Sequence, residues 1–245
     1  MINKKYINFL NIFYKIFFII TKKMNKNNLP KFDKENIIVQ GKYRTLYQYE
    51  YIHPNKSIIK YEVIEPVNKK NIKYAHGVGA IPIIKQTNQL ILIENFRYPI
   101  NKKCIEFPAG SYDNDELDSS NEKINNMAIN AIKRELKEET GYEGECVNFF
   151  ISPSNKNIAA KFFGSVYHDP WSSTSSTVMS LFSIDLEKNK DNKQNLEDIE
   201  MIKVYKINID NLFEFLCEKA KNGYGIRQDL YYLACGMFFD EIFDF

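Results

Sequence analysis

From Tyr61 onward the chain alternates short apolar runs with turn residues, the spacing of paired strands rather than of long helices. Gly79-Ala80-Ile81-Pro82-Ile83-Ile84 and Gln89-Leu90-Ile91-Leu92-Ile93-Glu94 flank a polar turn and predict a hairpin. Cys104-Ile105-Glu106-Phe107 predicts a further short strand, stopped by Pro108-Ala109-Gly110. A clearly punctuated helix follows. Ser119 with Glu122 three residues later forms a capping box. Apolar positions at Ile124, Ala128, Ala131, Ile132 and Leu136 mark one buried face, and Gly141 is the expected stop. Residues 147–151, 178–184 and 201–207 read as strands, the second apolar enough to lie inside a sheet. Helical segments over 209–221 and 229–243 close the chain. Mixed strands with a few helices predict an α/β or α+β sandwich.

With 245 residues and 28.8 kDa, the chain has room for one ordinary domain and an appendage. It is 44% hydrophobic and 26% charged, which excludes wholesale disorder. Lys and Arg number 33 against 31 Asp and Glu, so no global positive field gathers phosphates and a dedicated nucleic-acid binder is excluded. Cys104, Cys146, Cys217 and Cys235 lie far apart with no CxxC pair, which predicts four reduced, mostly buried thiols.

Residues 1–32 differ from the rest. They hold no acid but carry Lys4, Lys5, Lys15, Lys22, Lys23, Lys26 and Lys31 around an apolar stretch from Ile7 to Ile20. Asn11 and Lys15 interrupt that stretch, and it falls short of the ~20 apolar residues a membrane-spanning helix needs. It reads as an organelle-targeting (mitochondrial-type) or dispensable leader, with Met24 an alternative start. Polar runs at 68–71 and 187–195 read as solvated loops that cannot pack. His53, His76 and His168 show no ligand spacing and read as surface or structural.

The chemistry-bearing string is Arg134-Glu135-Leu136-Lys137-Glu138-Glu139-Thr140-Gly141-Tyr142. Glu135, Glu138 and Glu139 stand at i, i+3 and i+4, on one face of the last helical turns. Three carboxylates repel there, and the helix dipole disfavours negative charge at a C-terminus. A divalent cation with hard oxygen ligands compensates both, and Arg134 can orient the carboxylates. A solvated helix face would give a similar pattern, without a metal.

This string resembles the second half of the Nudix box, Gly-x5-Glu-x7-Arg-Glu-U-x-Glu-Glu-x-Gly-U. The first half departs from it. Asn126 and Ser120 stand where Glu and Gly are expected, so Gly110 with Glu116 or Glu122 takes those roles after an insertion of ~10 loop residues, a length loops accept cheaply. Further segments resemble the ADP-ribose pyrophosphatase branch of that family. They are Gly77-Val78-Gly79-Ala80-Ile81-Pro82, Glu94-Asn95-Phe96-Arg97-Tyr98-Pro99, Ile105 to Gly110, Asp169 to Thr174 and Leu196 to Ile202.

The resemblance implies a Nudix α/β/α sandwich over residues 75–245. It also implies a small N-terminal β-region over 33–74 that makes dimer and substrate contacts. It implies Mg2+, with Mn2+ as a substitute, held by the Ala109 carbonyl with Glu135, Glu139 and Glu200, and Glu138 beside them. Glu197 or Asp198 would accept the proton from water. Arg97 would grip the diphosphate, with Glu106 its ion-pair partner, and Asp169 would meet the ribose. Arg44 and Tyr47 would lie at the base. The expected activity is hydrolysis of ADP-ribose, or a related nucleoside diphosphate sugar, to AMP and ribose 5-phosphate by a homodimer. The alternatives are another nucleoside diphosphate derivative, or a nucleotide-binding or sensor protein without turnover.

Overall fold

The computed structural model describes residues 29–67, 76–112, 121–147 and 166–238. The leader up to residue 28, the polar run at 68–71, Ser119 of the capping box and Glu116 lie outside them, as do the side chains of Glu122, Ile124 and Asn126. The chain divides into two compact units at Val67 and Asn68.

The N-terminal unit is an antiparallel sheet of β1 (Lys31–Gln40), β2 (Arg44–Ile52) and β3 (Ile58–Pro66), with β2 in the middle. Tyr49 is buried on β2 and its hydroxyl donates to Glu65 on β3. Lys34 and Lys60 neutralise the buried Glu50 from the two flanking strands, at 3.5 and 3.2 Å. Arg44 is exposed and Tyr47 half-buried on β2, and both are placed only within this sheet.

The second unit is built on a mixed sheet. Its strands are β4 (Gly77–Ile84), β5 (Gln89–Arg97), β6 (Lys102–Glu106), β7 (Ala109–Ser111), β8 (Gly144–Val147), β9 (Val166–Tyr167), β10 (Ser176–Ile184), β11 (Lys203–Asn208) and β12 (Gly225–Ile226). The main path runs β12-β6-β5-β4-β10-β8, with β7 added to β4, β9 to β10 and β11 to β5. The expected hairpin joins β4 and β5, Ile83 facing Leu90. Strand β10 lies inside the sheet, as its apolar run predicted, and pairs in parallel with β4 along its length.

Helices cover both faces of this sheet. Helix α1 (Asn121–Thr140) buries Ala128, Ala131, Ile132 and Leu136 against Val78, Ile91, Val178, Phe182 and Ile184. Helices α2 (Leu212–Lys221) and α3 (Gln228–Met237) bury Leu212, Leu216, Leu230 and Ala234 against Leu90, Leu92, Ile105 and Phe107 on the other face. Leu90-Ile91-Leu92 therefore reads as an unbroken apolar run because neighbouring residues enter different cores. The layers are α/β/α, as expected.

Three expectations need correction. Residues 148–151 of the strand expected over 147–151 lie outside the described residues, and the strand's start is Gly144 rather than Val147. It starts early because it pairs antiparallel with β10, Gly144 opposite Ile184. The cysteines are free, but only Cys104 is buried, the other three being half-buried. The polar run 187–195 does not merely face solvent. Asn189 is buried, accepts the Glu143 N–H at 2.6 Å and donates to the carbonyls of Glu143 and Asp185 at 3.0 and 2.7 Å. No helix among the described residues is long and apolar enough to cross a membrane.

Candidate active site

The bend after β6 and the end of α1 form the site together. Pro108 accepts the Ala80 N–H at 2.9 Å, and β7 then lies beside the start of β4, Ala109 opposite Gly79 and Gly110 opposite Val78. Glu139, only 3% exposed, accepts the Ala109 N–H on Oε2 at 2.8 Å, which pins the last helical turn to the bend. The Glu135 carboxylate lies directly over Gly110. A Cβ built there would stand 2.0 Å from Glu135 Cδ and Oε1. Only a glycine admits that approach.

Arg134 organises the remaining charge. Its Nη1 bridges Glu135 Oε1 at 3.0 Å and Glu138 Oε2 at 2.9 Å, while Nη2 donates to the Ser111 carbonyl at 2.8 Å. The guanidinium thus ties helix to bend instead of clasping one carboxylate with two nitrogens. Glu138, its side chain 35% exposed, pairs with Arg134.

Burial pushes the Glu139 carboxyl up to about 8. The Ala109 N–H opposes this, the charges of Glu135 and Glu200 add to it, and Arg97 opposes it. Burial likewise pushes Glu135 up to about 7, against Arg134 and reinforced by Glu138 and Glu200. Glu200 is thereby placed within the field of both helix acids. These shifts set a sign for stability. Both groups hold their protons in the folded state well above the 4.5 at which the unfolded chain releases them. The folded state therefore binds more protons between about pH 5 and 8, and stability must fall as pH rises through that window. The melting temperature of cation-free protein is expected to drop across this range, and Glu139→Gln to flatten the drop. Parallel melting curves for the two proteins would refute the assignment.

The helix end is closed by the loop that carries Glu200. Gly141 takes φ +78, and a Cβ on it would stand 2.7 Å from the Asn192 carbonyl carbon and 2.8 Å from the Lys193 nitrogen. The Asn195 N–H donates to Glu138 O at 2.9 Å and Gln194 Nε2 to Glu139 O at 2.6 Å, satisfying carbonyls that a helix C-terminus leaves orphaned. Further on, Glu197 N–H donates to Glu200 Oε2 and Glu200 N–H to Glu197 O, both at 3.0 Å, in a local turn. Glu197 and Asp198 are exposed on this turn and Glu200 is half-buried.

Glu106, 2% exposed, is gripped by Arg97, Nε to Oε1 at 2.6 Å and Nη2 to Oε2 at 2.5 Å. A second guanidinium, Arg227 Nη1, stands 3.6 Å from Oε2. Nothing in the sequence signals Arg227, since it lies far down the chain in an ordinary approach to a helix. Asp169 forms a turn. Its carbonyl accepts the Ser173 N–H at 2.9 Å and its carboxylate the Ser172 hydroxyl. His76 and His168 are structural: His168 Nε2 lies 2.9 Å from Thr177 Oγ1, and His76 Nδ1 lies 3.3 Å from Ser176 N.

The Glu135 and Glu139 carboxylates at the bend are hard oxygen donors of the kind that suit a divalent cation. Among the described residues, however, no three His, Cys, Asp or Glu side chains converge into a ready-made cage. Glu135 and Glu138 are engaged by Arg134, and Glu139 by the Ala109 peptide.

No family model matches the chain. It is 32% identical over 114 residues to the ADP-sugar pyrophosphatase of Mus musculus, across 45% of this chain and 47% of that protein. It is 28% identical over 165 residues to an uncharacterized Nudix hydrolase of Schizosaccharomyces pombe, across 66% of this chain and 69% of that one. Among solved structures it matches the crystal structure of an ADP compounds hydrolase with a TM-score of 0.52. That match covers 77% of this chain and 83% of the other at 17% identity, a likeness of fold. The chain spans less than half the length of the mouse protein.

Proposed function

We propose that this chain, which is similar to an ADP-sugar pyrophosphatase and to a Nudix hydrolase, hydrolyses the pyrophosphate of ADP-ribose or a related nucleoside diphosphate sugar with Mg2+. ADP-ribose would yield AMP and ribose 5-phosphate. The observation that carries this reading is the burial of Glu139 at the Ala109 peptide, with Glu135 over Gly110 and the charge of Glu200 reaching both. Glu135, Glu139, Glu200 and the Ala109 carbonyl would hold Mg2+ or Mn2+. When bound, the cation neutralises diphosphate charge and makes water a better nucleophile toward phosphorus.

The chain's own residues do the rest. Arg134 keeps Glu135 facing the bend. Arg97, with a side chain 42% exposed and ion-paired to Glu106, grips the diphosphate as a planar fork donor. Glu197 or Asp198, exposed on the Glu200 loop, takes the proton released by the attacking water. Asp169 meets the ribose, and the active form is a homodimer. The relatives' names support an ADP-linked substrate.

The test is incubation of the full chain with ADP-ribose and Mg2+, reading AMP and ribose 5-phosphate by chromatography beside a panel of other nucleoside diphosphate sugars. AMP formation that EDTA abolishes is expected. Tight ADP-ribose binding with no product would instead make the protein a nucleotide sensor.

A further inference from the structure

Glu106 sets a problem for substrate capture. It is buried, and the guanidinium expected to grip the diphosphate is the one that neutralises it, through two hydrogen bonds. Turning Arg97 toward a substrate would leave a buried carboxylate short of a partner, which is strongly unfavourable. The second guanidinium answers this.

Arg227 is anchored on every side. Its Nε and Nη2 meet Asp229 at 2.8 and 2.5 Å, and Nη1 donates to the Phe107 carbonyl at 3.3 Å. Its backbone N–H donates to Ile105 O at 3.0 Å, and Nη2 rests 3.7 Å from Met179 Sδ. Its side chain is 20% exposed against 42% for Arg97, so of the two cations Arg97 is free to turn and Arg227 stays. At 3.6 Å from Glu106 Oε2, Nη1 already forms an ion pair and needs only a small shift to make a direct hydrogen bond.

We propose that Arg227 is a positioning residue, the standby partner of Glu106 that lets Arg97 transfer its Nη2 contact to the diphosphate. This rests on the hydrolase reading above, which places the diphosphate at Arg97. Without Arg227, Arg97 is locked on Glu106 and contributes little to binding. With it, the carboxylate changes partners and stays compensated.

The test is a double-mutant cycle on the full chain with ADP-ribose as substrate, reading kcat and KM separately together with the melting temperature. Arg227→Gln is expected to raise KM about tenfold, the scale of one charge-assisted hydrogen bond, with kcat within about twofold. Adding Arg97→Gln to it should raise KM little further, because the benefit of Arg97 is already lost, while the melting temperature falls as Glu106 loses both cations. Arg227→Lys, which keeps the charge, should recover part of the affinity. Asp229→Asn, which frees Arg227 toward Glu106, should lower KM and serves if Arg227→Gln does not fold. Independent, multiplicative effects of the two arginines would overturn the relay, as would a melting-temperature loss with KM unchanged. Wild-type protein that binds ADP-ribose without turning it over would sink the hydrolase reading while leaving the same cycle readable in Kd. Wild-type protein that does not bind ADP-ribose at all would sink both.

Discussion

Glu139→Gln is expected to cut turnover by at least about a thousandfold, roughly 4 kcal/mol of lost transition-state stabilisation at 1.36 kcal/mol per decade. The substitution is conservative in shape. A carboxamide oxygen can still accept the Ala109 N–H, so the 2.8 Å contact that pins the helix to the bend survives. What disappears is a carboxyl that can give up its proton and become an anionic ligand when a cation binds, at a buried point in the field of Glu135 and Glu200. Stability should not suffer, because burial already disfavours the charged form there. Chromatography of AMP formation beside a thermal melt separates the effects. Equal rates in the two proteins would end the enzymatic reading of this site.

Gly110→Ala is the complementary experiment, expected to lower turnover about a hundredfold while the fold holds. The new methyl group would collide with the end of the Glu135 side chain, at 2.0 Å from Cδ and Oε1 and 2.3 Å from Oε2. A carboxylate tip can swing aside by changing rotamer, which costs little. The same swing takes it off the bend and away from its partner on Arg134 Nη1. A metal ligand or a merely solvated acid gives opposite outcomes. Turnover falls with an unchanged melting temperature in the first case, and neither changes in the second.

The parts of this molecule legible in its sequence are those where one residue's neighbours along the chain decide its environment. Ala128, Ala131, Ile132 and Leu136 repeat at helical spacing because one stripe of α1 packs on the sheet, and Gly141 ends the helix with a positive φ. The Leu90-Ile91-Leu92 run was readable as a strand for the same local reason. The acids on α1 and the bend at Ala109 were legible too, being close in sequence and stereotyped in spacing. Arg227 was not, because its role comes from Glu106, which β12 brings alongside by pairing with β6. The polar run at 187–195 is exposed as expected except at Asn189, because composition does not say which single amide meets the backbone beside a helix end. The side-chain amides of Asn189 and Gln194 satisfy backbone groups there, and Asn195 does so through its own backbone N–H. Glu106 shows both sides, since its ion pair with Arg97 was expected and the second guanidinium beside it, Arg227 at 3.6 Å, was not.

The loop that seals α1 at Gln194 and Asn195 also presents Glu200 a few residues later. Finishing the helix and finishing the acidic centre are therefore a single event. A molecule whose loop has come away loses its last-turn caps and its third acid at once. Partial opening would not leave a weakened catalyst behind. It would leave a silent one.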